Sequence, residues 1–192
     1  MNTLQAIEQR RSIRRYRTDQ IDRDTLTKIL TAATYAPNAG GGQRSRIVAV
    51  RNAEDVERLG RVNRATFKAT NLAGSYVSAD QPSIIDDPSI KSAFYGAPCV
   101  AVIFSPTTFL YGEADAYTVA NTMTLAAHEL GVSSCIIARA EDTFATEYGR
   151  KMQQAWGVPN TYTARCFVAL GYHDGDYPAP KPRKDGRIIV IE

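Results

Sequence analysis

Residues 98–104 constrain the fold most strongly, because this stretch is apolar throughout and rich in β-branched side chains. Such a run is typical of a central β-strand. Residues 134–138 and 162–170 are strand candidates of the same kind. Residues 116–130 form an apolar helical pattern that Gly131 ends, and residues 141–156 carry apolar side chains at fourfold spacing. The second half of the chain therefore predicts a sheet packed against helices.

The first half is less regular but supplies further elements. Asp22 or Asp24 can cap a helix that ends before Pro37, since a residue that precedes proline avoids the helical conformation. The other predicted segments are a helix at residues 4–8, a strand at 45–50, a helix around Val56, Leu59 and Val62, and a strand at 187–191 after a proline-rich connector. In total we expect about four strands and four to five helices.

The whole chain, residues 1–192, is predicted to form one α+β domain, since the sequence contains no internal repeat and no linker. Residues 70–92 are polar, contain Pro82 and Pro88, and show no clear period. Segments of this kind are typical of surface loops, so we expect a mobile loop or lid here.

The net charge of +3 is concentrated at the two ends of the sequence. Residues 1–17 contain five arginines and one acid, and residues 181–187 contain four basic residues and one acid. Without these two segments the chain would carry a net charge of −4. A mildly acidic body with two basic ends predicts an anionic partner for those ends.

Several classes of protein are excluded by what the sequence lacks. It has no long apolar stretch and no secretory signal, so we expect a cytoplasmic protein without membrane attachment. Cys99, Cys135 and Cys166 lie far apart in apolar runs, which favours buried reduced thiols over disulfides or a zinc site. The two histidines, His128 and His173, indicate neither a metal pair nor a catalytic triad. With no G-x-G-x-x-G motif either, any redox chemistry would come from a bound cofactor.

Arg10, Ser12 and Arg14 alternate along the first basic segment, so on an extended backbone they project to the same side. Guanidinium groups bind phosphate in bidentate fashion, and the serine hydroxyl adds a donor. Lys181 and Arg183 show the same spacing in the second segment. The two clusters can converge on one phosphate, whereas a solvated basic face or a nucleic-acid-binding arm explains the first cluster equally well.

Six short motifs, in order, resemble those of the nitroreductase family of flavin enzymes and cover nearly the whole chain apart from residues 70–92. They are Ile7-x-x-Arg10-Arg11-Ser12-Ile13-Arg14-x-Tyr16; Leu26-x-x-Ile29-Leu30-x-Ala32-Ala33-x-x-Ala36-Pro37-Asn38-Ala39 followed by Gln43; Tyr95-Gly96-Ala97-Pro98; Leu125-Ala126-Ala127-x-x-Leu130-Gly131-Val132-x-Ser134-Cys135; Ala169-Leu170-Gly171-Tyr172; and Lys181-Pro182-Arg183. Six motifs in the right order are hard to obtain by chance, so the chain is identified as a member of this family.

The resemblance implies an α+β sandwich with a central mixed or antiparallel sheet flanked by helices, assembled as an intertwined homodimer. It also implies a tightly but non-covalently bound FMN at the subunit interface. The FMN phosphate would be held by Arg10, Ser12 and Arg14 together with Lys181 and Arg183. Arg11 would contribute through its backbone or its side chain.

The same resemblance assigns three further groups of residues to the flavin ring. The loop that lines the flavin from the neighbouring subunit corresponds to Pro37, Asn38, Ala39 and Gln43. The strand end whose backbone amides approach flavin N5 corresponds to Ile136 and Ile137. The amide partner for the pyrimidine edge corresponds to Asn63. For Asn63, the alternative is a solvated side chain on the surface of a helix.

Three departures from the family pattern concern the surroundings of the flavin. Arg44-Ser45 stands where the family commonly has a proline and an aromatic residue. Three consecutive glycines, residues 40–42, replace a loop that usually includes an asparagine. Ala138-Arg139 replaces the acidic-glycine pair found in some members. These changes concern substrate fit and the hydrogen bonding around N5, not the phosphate site.

As a function, the resemblance implies an FMN-dependent oxidoreductase that takes hydride from NADH or NADPH. It would then reduce a nitroaromatic, a quinone or a similar small-molecule acceptor on the same flavin face, which gives ping-pong kinetics. No side chain needs to act as an essential acid or base, and no metal, nucleic-acid or membrane partner is expected. A non-catalytic flavin-binding or regulatory protein of the same fold, or a nucleic-acid-binding module with basic ends, remains an alternative.

Overall fold

The apolar stretch at residues 98–104 forms the centre of a four-stranded sheet. The computed structural model describes residues 2–67 and 81–192. Its strands are Arg46–Val50 (β1), Cys99–Pro106 (β2), Ser133–Ile137 (β3) and Tyr162–Gly171 (β4), in the order β1-β2-β4-β3 and antiparallel throughout. Every side chain from Cys99 to Phe104 is 0 % exposed, which confirms the predicted central strand.

Helices cover both faces of this sheet. They are Thr3–Gln9 (α1), Arg23–Thr34 (α2), Ala53–Ala65 (α3), Gly112–Glu129 (α4), Ala140–Phe144 (α5) and Glu147–Ala155 (α6), with a short 3₁₀ turn at Ala39–Gly41. Alternate residues of β2 point to opposite faces. Val100, Val102 and Phe104 pack with α3, α5 and α6, whereas the residues between them pack with α2 and α4. This arrangement confirms the α+β sandwich.

The ends of α2 and α4 follow from local chemistry. Asp22 rather than Asp24 caps α2, because its side chain accepts a hydrogen bond from the Thr25 amide at 2.8 Å. The helix predicted from residue 116 begins earlier, at Gly112, and Gly131 follows its end with φ 73°. A positive φ is readily adopted by glycine, which explains the sharp exit into β3.

The single helix predicted at residues 141–156 is wrong, because the segment forms two helices, α5 and α6. Thr146 separates them: its side chain accepts from the Gly149 amide at 3.1 Å and so caps α6. Gly149 then lies against the backbone of α5, where a Cβ atom would come within 2.5 Å of the Cα of Phe144. The apolar spacing continued across the break because both helices pack on the same face of the sheet.

The strand predicted at residues 187–191 is also wrong, because these residues adopt no regular structure and pair with no described strand. Ile188 and Ile191 are each 86 % exposed. An apolar, β-branched run favours a strand only where another strand is available for pairing.

The predicted loop at residues 70–92 lies partly outside the described residues, which resume at residue 81. Residues 81–92 consist of turns without helix or strand. No helix in the described parts of the chain is long and apolar enough to cross a membrane.

Candidate functional site

The predicted basic segment lies along the outer edge of β3. Ser12 forms a parallel bridge with Ser134, and the Ile13 amide donates to the Ser134 carbonyl at 3.0 Å. Ile13 is 0 % exposed and Tyr16 is 8 % exposed, so these two side chains anchor the segment in the core. The segment is therefore fixed against the sheet rather than projecting as a free arm.

Cys135, a buried thiol in β3, is the next residue after Ser134, with which Ser12 of the arginine segment forms its bridge. Burial raises the pKa of this thiol, and Arg14, a hydrogen bond from Ser12, and Arg10 act in the opposite direction. The segment runs beside Ser134, whose buried hydroxyl has no hydrogen-bond partner among the described residues. The common direction of Arg10, Ser12 and Arg14 stays a prediction.

Arg14 is held by the turns at residues 81–96. Its amide donates to the Gln81 side-chain carbonyl, and its guanidinium lies 3.5 Å from the Gln81 backbone carbonyl. The Tyr95 hydroxyl also hydrogen-bonds to Arg14, and burial, the largest influence on this hydroxyl, raises the pKa of Tyr95. A cavity of about 540 Å³ opens beside Arg14 and Tyr95. Arg14 therefore stands at the wall of a pocket, with its backbone amide held by the Gln81 side chain and its guanidinium next to Tyr95.

Arg11 faces a different way from its neighbours. Its guanidinium donates back to the Glu8 carbonyl at 2.7 Å and to the Arg10 carbonyl at 2.6 Å. Its amide donates to the Tyr177 hydroxyl at 2.9 Å. These contacts tie the end of α1 to the segment that follows β4.

Ile136 presents its backbone to the outer edge of β3. The Ser134 carbonyl accepts from Ile13 and so points away from β4. Backbone groups alternate in direction along an antiparallel strand, so the Ile136 amide and carbonyl point to that outer edge as well. Ile137, which pairs with Phe167, directs its backbone into the sheet. Of the two predicted residues, Ile136 is the one whose amide faces the side of Ser12.

Asn63 lies in the interior at the corner between β3 and α5. It is 2 % exposed, and its amide nitrogen lies 3.1 Å from the Ala138 carbonyl and 3.0 Å from the Thr143 hydroxyl. The alternative that Asn63 is solvated on a helix surface is therefore wrong. Its donor is committed within the chain, so its role here is to hold the corner where β3 ends.

The loop at Pro37, Asn38, Ala39 and Gln43 lies at the N-terminal end of α4. The Ala39 amide donates to the buried carboxylate of Asp115 at 2.9 Å, and the Thr118 hydroxyl donates to the Pro37 carbonyl at 2.8 Å. The Asn38 side chain accepts from the Gln43 amide at 2.8 Å, which closes the loop. Asn38 and Gln43 line a cavity of about 380 Å³ between α2 and β1.

This loop and the arginine segment lie at opposite ends of α4. The loop contacts Asp115 near the start of the helix, whereas Arg11 lines one cavity together with His128 near its end. Thirteen residues of α-helix span about 20 Å. One copy of the chain therefore does not bring the two predicted parts of the site together.

Lys181 and Arg183 lie in the exposed segment after β4. The Arg183 guanidinium donates to the Lys181 carbonyl at 2.7 Å. Pro178, Ala179 and Pro180 lie on one cavity wall with Arg11, so the segment starts next to the arginine motif. The convergence of Lys181 and Arg183 on Arg10, Ser12 and Arg14 stays a prediction.

Two of the sequence departures explain each other. The Arg44 guanidinium lies 4.5 Å from the centre of the Phe109 ring and donates to the Ala39 carbonyl at 3.1 Å. A Cβ atom on Gly42 would lie 1.9 Å from this guanidinium. Gly42 makes room for Arg44 to fold over the loop, and Phe109 supplies the aromatic neighbour that the residues after Gln43 lack.

Comparison with known proteins decides the family. The nitroreductase family profile matches residues 7–172. The chain belongs to the nitroreductase family. It is 26 % identical to the nitroreductase NfnB of Mycolicibacterium smegmatis over 176 residues, with 74 % of each chain covered. A crystal structure of a nitroreductase with bound FMN from Bacteroides fragilis is similar over 100 % of both chains, with 27 % identity and a TM-score of 0.83. An FMN-bound nitroreductase from Desulfitobacterium hafniense is 26 % identical over 100 % of both chains, with a TM-score of 0.80.

Three residues that contact the arginine segment were not indicated by the sequence. They are Gln81 and Tyr95, which hold Arg14, and Tyr177, which holds Arg11. Each contact joins residues more than 60 positions apart. Residue spacing carries no signal for such pairs, although Tyr95 did belong to one of the quoted motifs.

Arg139 occupies a strained position in the nitroreductase fold, directly after β3. It has φ 69° and ψ 29°, in the left-handed region that favours glycine. Asn63 and Thr143 both donate to its carbonyl, and its guanidinium donates to the Thr66 carbonyl and lies 4.8 Å from the centre of the Phe67 ring. These contacts hold the strained backbone in place.

We expect Arg139→Gly to be more stable than Arg139→Ala by about 1 kcal/mol. Both variants lose the guanidinium contacts, but only glycine relieves the left-handed strain, so each is the control for the other. Urea denaturation of the two proteins at one concentration measures the difference. Equal stabilities would show that the backbone at this corner is not strained.

Proposed function

We propose that the protein is an FMN-dependent oxidoreductase that takes hydride from NADH or NADPH and reduces a nitroaromatic, a quinone or a similar small-molecule acceptor. Alternation of donor and acceptor at one site gives ping-pong kinetics. Family membership and the FMN bound to the two solved relatives support this proposal. The three free, buried cysteines fit a reducing compartment, and we propose the cytoplasm.

The observation that carries the proposal is the placement of the segment with Arg10, Ser12 and Arg14 along the outer edge of β3, where Ser12 forms a bridge with Ser134. This donor set fits a phosphate, because guanidinium groups and a hydroxyl provide charge-assisted hydrogen bonds. The buried Ser134 hydroxyl, which lacks a partner among the described residues, is a further polar group at the same place. The site therefore suits the anionic end of FMN.

Each part of the chain has a separate task in this proposal. Arg10, Ser12 and Arg14, with Lys181 and Arg183, bind the phosphate. The Ile136 amide, on the same edge of β3, donates a hydrogen bond that orients the ring. When bound, FMN supplies the hydride chemistry, so the chain needs no acid or base of its own. Asn63 acts indirectly, by holding the end of β3 through the Ala138 carbonyl.

We further propose that the site is completed by a second copy of the chain in a homodimer. The support is the separation of about 20 Å between the Asn38 loop and the arginine segment along α4. A partner copy can bring its loop to the arginine segment of the first. Residues 188–191 are apolar and at least 76 % exposed, so they are available to pack on that partner.

The cofactor proposal is tested by equilibrium binding of FMN and riboflavin to the purified protein. We expect FMN to bind much more tightly than riboflavin, because only FMN carries the phosphate that the arginines hold. Denaturation should release FMN unaltered, since no covalent link is proposed. Failure of the protein to bind added FMN would contradict the proposed function.

The shared site is tested by mixing two variants, each damaged in a different part of the site, at an FMN concentration that neither variant binds alone. Arg14→Ala damages the arginine segment, and Asn38→Ala opens the loop. After subunit exchange, half the dimers are mixed and each mixed dimer has one intact site, so about a quarter of all sites should regain FMN binding. No recovery after confirmed subunit exchange would show that both parts of a site come from one chain.

A further inference from the structure

The cavity of about 540 Å³ next to Arg14 extends away from the other residues of the arginine segment. The described residues that line it include Arg14 but neither Arg10 nor Ser12. The cavity is therefore a neighbour of the proposed phosphate site and not the same place. Its volume lies within the range of roughly 300–1,000 Å³ that is typical of small-molecule sites.

Three cationic side chains line this cavity, namely Arg14, Arg15 and Lys91. Arg15 and Lys91 are exposed, and none of the ion pairs among the described residues involves Lys91. Arg15 lies 3.7 Å from the carboxylate of Asp174, and an exposed ion pair at this distance is weak. Both cations are therefore available to an anion that enters the cavity.

Two carboxylates also line the cavity, but each has a partner of its own. Glu57 accepts from the Arg61 guanidinium at 2.7 Å, and Asp87 accepts from the backbone amide two residues further on at 2.8 Å. Arg64 donates to a backbone carbonyl of the cavity wall at 3.2 Å. With Arg61 and Arg64, five cationic groups stand against three carboxylates, Asp174 included. This excess of positive charge favours an anionic ligand.

Tyr95 lines the same cavity in a strained backbone conformation. Its φ of 57° lies in the left-handed region that residues other than glycine rarely adopt, and Gly96 follows with φ 79°. Strain of this kind concentrates at ligand sites. The Tyr95 hydroxyl hydrogen-bonds to Arg14, and Pro82 and Ile90 add apolar surface to the wall. Cations beside aromatic and apolar groups suit a ligand that joins phosphate to a ring system, as a nucleotide does.

We propose that this cavity binds a phosphate group of the nicotinamide nucleotide donor, with Arg15 and Lys91 as its anion-binding residues. The donor offers two such groups: the pyrophosphate, which NADH and NADPH share, and the 2′-phosphate, which only NADPH carries. Arg14 belongs both to the cavity wall and to the arginine segment, so a nucleotide bound here lies next to the proposed flavin site. This inference rests on the proposed function, because it assumes that a nicotinamide nucleotide is the donor.

Equilibrium binding of NADP⁺ and NAD⁺ to the FMN-loaded protein tests the inference, because the oxidised nucleotides bind without donating hydride. Lys91→Met keeps most of the side chain and removes its charge. We expect this variant to raise the Kd for NADP⁺ about threefold to tenfold, because one hydrogen bond to a phosphate is lost. Lys91→Arg retains the charge and should bind NADP⁺ as the wild type does.

The two nucleotides identify the phosphate group. If the cavity takes the 2′-phosphate, Lys91→Met leaves the Kd for NAD⁺ unchanged, whereas the Kd rises for both nucleotides if it takes the pyrophosphate. Arg15→Ala should weaken binding of the same nucleotides as Lys91→Met. Lys28→Met is the matched control, because it removes the same charge from an exposed lysine of α2 that does not line the cavity. It should change neither Kd.

Unchanged Kd values for both nucleotides in Lys91→Met and Arg15→Ala would overturn the inference. So would a wild-type protein that binds NADP⁺ only in the absence of FMN, since the cavity would then be part of the FMN site. Wild-type protein that binds no FMN would overturn the proposed function and this inference with it. FMN binding with nucleotide Kd values that ignore both substitutions would overturn this inference alone.

Discussion

Alanine in place of Arg14 should weaken FMN binding by about 10-fold to 150-fold, which corresponds to a charge-assisted contact of about 1.5–3 kcal/mol. Arg14 is the residue for this test because it stands at the wall of the pocket, where Gln81 holds its backbone amide. Fluorescence titration of the variant with FMN measures the loss.

Arg17→Ala is the matched control for Arg14→Ala. Arg17 follows on the same segment, but it is exposed and its guanidinium donates to the carboxylate of Asp19 at 2.9 Å, so its removal should change the Kd for FMN less than twofold. Riboflavin affinity of Arg14→Ala should stay near that of the wild type. If riboflavin binding falls as much as FMN binding, Arg14 supports the shape of the pocket and does not hold the phosphate.

Phe167→Ala should destabilise the protein by about 3–5 kcal/mol, the cost of a large cavity in a close-packed core. Phe167 is 0 % exposed in β4, which lies between β2 and β3. Its ring meets Phe94 edge-on, with centroids 4.9 Å apart, and Phe144 lies on the same side of the sheet. The loss is a large share of the roughly 5–15 kcal/mol that stabilises a typical domain.

Chemical denaturation at a fixed protein concentration measures this loss, because dimerisation would make stability depend on concentration. Leu110→Ala is the control: this side chain is 84 % exposed, and its truncation should cost less than about 0.5 kcal/mol. A loss below about 1.5 kcal/mol for Phe167→Ala would show that the core between β4 and α5 collapses around the missing ring.

The sheet was predictable from the sequence because a strand buried on both faces is apolar at every position. That is the situation of Cys99–Phe104, and the strand appears where it was expected. The break at Thr146 was not predicted, since periodicity reports which face is buried and not whether the backbone is continuous. Residues 187–191 show the limit of strand propensity: a strand needs a neighbour, and the described chain offers none there.

The arginine segment was predictable for a different reason. Alternation on an extended backbone is a local property, and the bridge of Ser12 with Ser134 shows that the segment runs extended along β3. The contacts of Gln81 with Arg14 and of Tyr177 with Arg11 are tertiary and have no local signal. The burial of Asn63 was not predicted, because its helix presents a polar side chain to the corner formed by β3 and α5.

Anaerobic titration of the FMN-loaded wild-type protein with NADH and with NADPH tests the central claim most directly. The proposed oxidoreductase should lose its visible flavin absorbance with one equivalent of at least one of the two nucleotides per bound FMN. A quinone or a nitroaromatic added afterwards, still without oxygen, should restore it. Bound FMN that stays oxidised in the presence of excess NADH and NADPH would contradict the account and would leave a flavin-binding protein that does not turn over.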